Sequence, residues 1–125
     1  MNKPAPIAAR TVPVGPTRMT PSEAFVETMV AQGVDTMFGI MGSAFMDAMD
    51  IFAPAGIRLI PVVHEQGAAH MADGYARATG RPGVCTIIAG PGVTNAATGI
   101  AQAWCDSQPM LVISGACATP TLGKG

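Results

Sequence analysis

The sequence predicts an α/β domain, a parallel sheet in three layers with helices on both faces. Three observations carry that prediction. Segments with a helical period alternate with short apolar runs in the order helix, strand, repeated four times. Each strand-sized run is separated from the next by a helix, as right-handed crossovers between parallel strands require. The runs are apolar through most of their length, as in strands covered on two sides. A chain of 125 residues is long enough for one such core and short of two domains of ordinary size.

Residues 1 to 18 contain four prolines, three cations and no acid, and show no helical period. They read as a disordered leader, with residues 19 to 125 as the folded domain. Order begins at Thr20-Pro21-Ser22-Glu23. A threonine N-cap, a proline at the first helical position and a glutamate three residues after the cap form a capping box. Phe25, Val26, Met29 and Val30 give this helix its apolar stripe, and Gly33 ends it. A strand is expected over Asp35 to Gly39, a turn at Met41-Gly42-Ser43, and a helix over Ala44 to Phe52. The second strand runs from Ile57 to Val63, and Pro61 within it removes a ladder donor, so it belongs at a sheet edge or on a bulge.

Ala68, Met71, Ala72, Tyr75, Ala76 and Thr79 share one face of a third helix, which Gly80 and Pro82 close. The run Val84 to Ala89 gives the third strand. Gly90-Pro91-Gly92 then opens a helix with Ala97, Ile100, Ala101, Trp104 and Cys105 on one face, and Met110 to Ser114 is the fourth strand. No closing helix follows in this sequence, so one sheet face is expected to be left uncovered and the domain to be incomplete at its C-terminus.

Composition narrows the function. With 12% charged residues and a net charge of −1, the chain has no massed cations with which to grip a phosphate backbone, so nucleic acid is not an expected partner. The longest apolar runs fall far short of the roughly 20 residues that cross a bilayer. Cys85, Cys105 and Cys117 are odd in number, lack C-x-x-C spacing and lie in apolar runs, which reads as reduced core thiols in a cytoplasmic protein. The high apolar share, 49%, predicts a partner surface.

In parallel sheets ligands bind beyond the carboxyl ends of strands. The corners to search are therefore Gly39 to Ala44, His64 to Gln66 and Gly90 to Asn95. None carries a dinucleotide fingerprint or a G-x-x-x-x-G-K-[ST] loop. Glu65 follows a mostly apolar strand and opens a helix with an alanine-rich face. Desolvation there is expected to raise its pKa toward neutrality and suit it to proton transfer, although a first-turn glutamate can equally be a solvated partner of the helix dipole. His64, Glu65 and His70 lack the spacing of a helical zinc site, and no metal ligand is assigned; both histidines read as packing or supporting groups. Gly90-Pro91-Gly92 is ordinary turn punctuation, or a place where missing side chains let a flat ring approach, with Asn95 offering a donor and an acceptor.

Three motifs occur in order: His64-Glu65-Gln66-Gly67-Ala68-Ala69, then Ala72-Asp73-Gly74-Tyr75-Ala76-Arg77, then Gly90-Pro91-Gly92-Val93-Thr94-Asn95. Together they resemble the N-terminal pyrimidine-binding domain of thiamine-diphosphate enzymes of the acetolactate synthase group. The resemblance implies that Glu65 exchanges a proton with N1′ of the cofactor's aminopyrimidine, the catalytic role. It also implies that Pro91 and Asn95 line that ring, and that Gly42 and Ser43 form a turn near the reacting centre. It places the diphosphate and Mg2+ on a separate domain, usually of a second subunit in a homodimer or homotetramer, so these 125 residues are not expected to turn over a small-molecule substrate alone. Within the group, Phe38-Gly39-Ile40-Met41-Gly42-Ser43-Ala44-Phe45-Met46-Asp47 looks most like the sulfoacetaldehyde acetyltransferases, whereas acetolactate synthases usually carry a Pro-Gly-Gly turn there. Acetolactate synthase-like and 2-oxo acid decarboxylase activities, and a noncatalytic interaction module, remain as alternatives.

Overall fold

The computed structural model describes residues 18–124; apart from Arg18, the expected leader lies outside them. Four parallel strands form one sheet in the order β2-β1-β3-β4, where β1 is Thr36–Gly39, β2 Arg58–Pro61, β3 Gly83–Ile87 and β4 Met110–Ser114. The central strands β1 and β3 are buried throughout, and the edge strands are half-exposed. Pro61 sits on the edge strand β2, opposite Gly39 of β1, where its missing N–H costs no second ladder.

Helices cover both faces. Helix α1 (Pro21–Ala31) and helix α2 (Met46–Phe52) pack Val26, Ala48 and Phe52 against Met37 and Val84. Helix α3 (Glu65–Thr79) and helix α4 (Pro91–Cys105) pack Ala68, Ala69, Ala72 and Ala96 against Phe38, Cys85 and Ile87 on the other face. The capping box of α1 is complete: Glu23 N–H donates to Thr20 Oγ1 at 3.2 Å and Thr20 N–H to Glu23 Oε2 at 2.6 Å. The helix expected from Ala44 begins instead as a 3-10 turn over Ser43–Phe45, and α2 proper starts at Met46. Gly42 has no side chain with which to cap the turn, and tighter i+3 bonds take up its first amides.

The faces of the two long helices differ from expectation. On α3, Met71 and Thr79 are exposed, while Glu65 and Asp73 are buried beside the expected Ala68, Ala72 and Ala76. On α4 the buried residues are Gly92, Ala96, Gly99 and Ala103; of the expected apolar face only Ile100 packs against the core, while Ala97, Ala101, Trp104 and Cys105 point outward. Close approach is the reason. A methyl group added at Gly99 would lie 2.6 Å from Ala69 Cβ, so only the small-residue side of α4 can meet α3. The helices are further joined by Arg77, which donates to Asp73 and to Asp106 just past α4.

At the amino edge of the sheet Arg81 donates to Asp35 Oδ2 and to the Gly33 carbonyl, and Tyr75 O–H donates to Asp35 Oδ1, tying the turn before β1 to the turn before β3. A groove of about 380 Å³ opens beside this cluster, with Val84 and Leu111 among its lining residues. There the sheet face is incompletely covered, and Leu111 is exposed.

The cysteines also need correcting: Cys85 is buried on β3, but Cys105 and Cys117 are exposed. Cys105 lies on the outward side of α4, and Cys117 lies beyond β4. Burial pushes the Cys85 thiol up to about 11. At pH 8, iodoacetamide is therefore expected to alkylate Cys105 and Cys117 in the native chain and to reach Cys85 only after denaturation, as peptide mass mapping would show. No described helix is long and apolar enough to cross a membrane.

Candidate active site

Three connections leave the carboxyl edge of the sheet: the corner after β1, the β2–α3 corner and the β3–α4 corner. The second and third converge on Glu65. Glu65 is the first residue of α3, and Asn95 lies in the second turn of α4. Asn95 Nδ2 donates to Glu65 Oε2 at 3.0 Å. Glu65 is buried, at 7% exposure. A Cβ built on Gly92 would stand 3.0 Å from Glu65 Oε1, so the carboxylate rests against the opening turn of α4 at a position that only glycine leaves free.

The electrostatics run opposite to the sequence expectation. The Asn95 amide, assisted by the N–H of Glu65 itself, holds the carboxyl below the usual carboxylate range, and the opposing effect of burial is smaller. Desolvation loses because the acid is not enclosed in hydrocarbon. It has a fixed donor, and it sits at the start of one helix and beside the start of another, where the backbone favours negative charge. Without a ligand Glu65 is a preorganised anion.

Its surroundings are open where a ring would lie. Gly90 turns the chain at φ 70°, a left-handed conformation, and a Cβ there would meet nothing within 4 Å. Pro91 follows as the first, exposed residue of α4. The remaining candidates, Gly42 and Ser43, follow β1 at the same edge. Their neighbours are different, however: Gly42 faces Ile88, and Ala44 packs where Gly115 lacks a side chain. Neither forms a hydrogen bond to Glu65 or Asn95 among those described.

One contributor was not anticipated: Gly92 provides the carboxylate's seat, and the pair of glycines flanking Pro91 was the available signal. His64, expected as a packing or supporting group, supports α3 as its N-cap, whereas His70 is exposed and not packed. Gly92→Ala is expected to push the carboxylate back by a few tenths of an ångström and lengthen the Asn95 contact. A matching rise in the Glu65 pKa, read by carboxyl-carbon NMR, checks it.

Among the described residues no group of three or more His, Cys, Asp and Glu side chains could hold a metal ion. The arrangement is instead suited to a neutral heteroaromatic ring: one ionised carboxylate whose Oε1 is not bonded to Asn95, beside a turn in which two glycines flank Pro91.

A parallel α/β sheet with a hydrogen-bonded carboxylate at the β2–α3 corner and a Gly-Pro-Gly turn at the next defines a cofactor-binding class of domain. Residues 19–125 match the family model for the thiamine pyrophosphate enzyme, N-terminal TPP binding domain, and the chain belongs to that family. It is 65% identical over 116 residues to a sulfoacetaldehyde acetyltransferase of Alcaligenes xylosoxydans xylosoxydans, and 62% identical over 116 residues to that of Castellaniella defragrans. Each match covers 93% of this chain and 19% of the relative. An acetolactate synthase large subunit of Buchnera aphidicola is 48% identical over 103 residues, covering 82% of this chain and 18% of the relative. The chain thus spans about a fifth of the length of these relatives.

Proposed function

We propose that this chain supplies the pyrimidine-side half of a thiamine-diphosphate site, with Glu65 as the catalytic acid/base, in an enzyme that converts sulfoacetaldehyde and phosphate to acetyl phosphate and sulfite. The observation that carries the reading is the Glu65–Asn95 pair at 3.0 Å beside the open Gly90-Pro91-Gly92 turn. The two acetyltransferase relatives, more similar to this chain than the acetolactate synthase, support the substrate.

When bound, thiamine diphosphate supplies a thiazolium ring able to accept the electron pair of a bond breaking beside a carbonyl. The chain's part is binding, orientation and proton placement. Oε2 of Glu65 is tied to Asn95, which leaves Oε1 to hold and return a proton at a ring nitrogen. With such a ring beside the turn, Glu65 would lose water from its carboxylate, and its proton affinity would rise from its low starting value. Asn95 and Pro91 border that ring, and Gly42 and Ser43 close the site from the β1 corner. Mg2+ and the diphosphate are held by a separate domain.

The outward face of α4 supports a partner. Val93, Ala97, Ala101 and Trp104 are exposed, Trp104 at 85%, and a second subunit of a homodimer or homotetramer, or the diphosphate-binding domain, covers them in this reading. The full-length protein, supplied with thiamine diphosphate, Mg2+, sulfoacetaldehyde and phosphate, is expected to release sulfite and form acetyl phosphate. Acetolactate formed from pyruvate, with no sulfite released, would replace the substrate assignment; no cofactor-dependent turnover of either would remove the enzymatic one.

A further inference from the structure

We infer that His64 is a positioning residue for Glu65, acting through its imidazole Nδ1 as the cap of α3. The inference comes from accounting for the amides at the start of α3, where the helix itself leaves donors without partners. Gln66 N–H donates to His64 Nδ1 at 3.2 Å. Gly67 N–H and Ala68 N–H both donate to the His64 carbonyl, at 3.0 and 3.4 Å. The His64 side chain therefore satisfies one of them, Gln66 N–H, while the His64 carbonyl takes the amides of Gly67 and Ala68 as at any helix start.

The consequence concerns where the carboxylate can go. A first-turn glutamate beside an uncapped end can swing its oxygens onto the free amides of its own helix. With Gln66 N–H held by the His64 imidazole, Glu65 Oε2 stays on Asn95 and Oε1 stays against Gly92. The bond to Gln66 also fixes the tautomer, because a ring nitrogen that accepts carries no proton, and the neutral ring bears its proton on Nε2. His64 itself is exposed and extended, at φ −154° and ψ 140°, the backbone of an N-cap rather than of a helical residue.

The link from capping to cofactor rests on the proposed thiamine-diphosphate reading; the capping itself does not. Two substitutions test both. In His64→Ala, which keeps the carbonyl that Gly67 and Ala68 bond to, hydrogen exchange at Gln66 is expected to accelerate about 2- to 30-fold, the range for losing a cap, while the amides of Val84 to Ile87 keep their rates. Thiamine diphosphate affinity of the full-length protein, measured by calorimetry, should fall by a comparable factor. His64→Asn restores both, because asparagine caps well and carries no charge, which separates capping from any influence of an imidazolium on Glu65. Unchanged exchange in His64→Ala, or a loss of affinity that asparagine does not repair, would overturn the inference. A parent protein that binds no thiamine diphosphate would defeat the functional reading, and the exchange rates would still decide the role of His64.

Discussion

Glu65→Gln in the full-length protein is expected to lower thiamine-diphosphate-dependent turnover by at least about 10²-fold, the ordinary cost of removing a general acid/base. Glutamine keeps the length and shape of the side chain, and its carbonyl oxygen can still accept from Asn95 Nδ2 in place of Oε2. The seat against Gly92 is retained as well. What is lost is the ability to take up and return a proton, so the defect should fall on kcat, with folding and oligomeric state unaltered. Steady-state kinetics beside circular dichroism checks it; wild-type turnover in the variant would remove Glu65 from the chemistry.

The second large effect is on stability. Gly83→Val is expected to cost about 3 kcal/mol, the upper end of ordinary overpacking, because β3 begins where α3 lies directly on it. A Cβ at residue 83 would overlap the carbonyl of Ala72, and that backbone atom cannot swing aside as a side chain could. The contrasting substitution is Gly74→Ala on the same helix, where a Cβ meets nothing within 4 Å. That change should be neutral or stabilising by up to about 1 kcal/mol, through higher helix propensity. Urea denaturation of the two variants beside the parent gives both values. A Gly83→Val variant as stable as Gly74→Ala would mean that α3 and β3 are not in the contact described.

These two outcomes mark what the sequence made legible. The succession of helices and strands could be read because each carries local punctuation: the Thr20 capping box, Gly33 and Gly80 at helix ends, and Pro61 confining β2 to an edge. The Glu65 corner was legible as a place for chemistry because it follows a parallel strand. The rest depended on contacts between distant segments. The face of α4 was misassigned because periodicity counts apolar side chains, and the positions that pack, Gly92 and Gly99, have none to count. The direction of the Glu65 pKa was missed for a similar reason: its donor is 30 positions away, and no rule based on local hydrophobicity brings an amide to 3.0 Å. Cys105 and Cys117 were taken as core residues from apolar neighbours that are themselves exposed.

Glu65 as an anion held ready for a heteroaromatic ring is the claim on which the functional account stands. Its most direct measurement is a site-resolved titration of the Glu65 side-chain carboxyl carbon by NMR, without and with thiamine diphosphate. The account predicts ionisation below the ordinary glutamate value of about 4.3 in the free protein, and an upward shift once the cofactor is added. An ordinary or raised value in the free protein, unmoved by the cofactor, would contradict it.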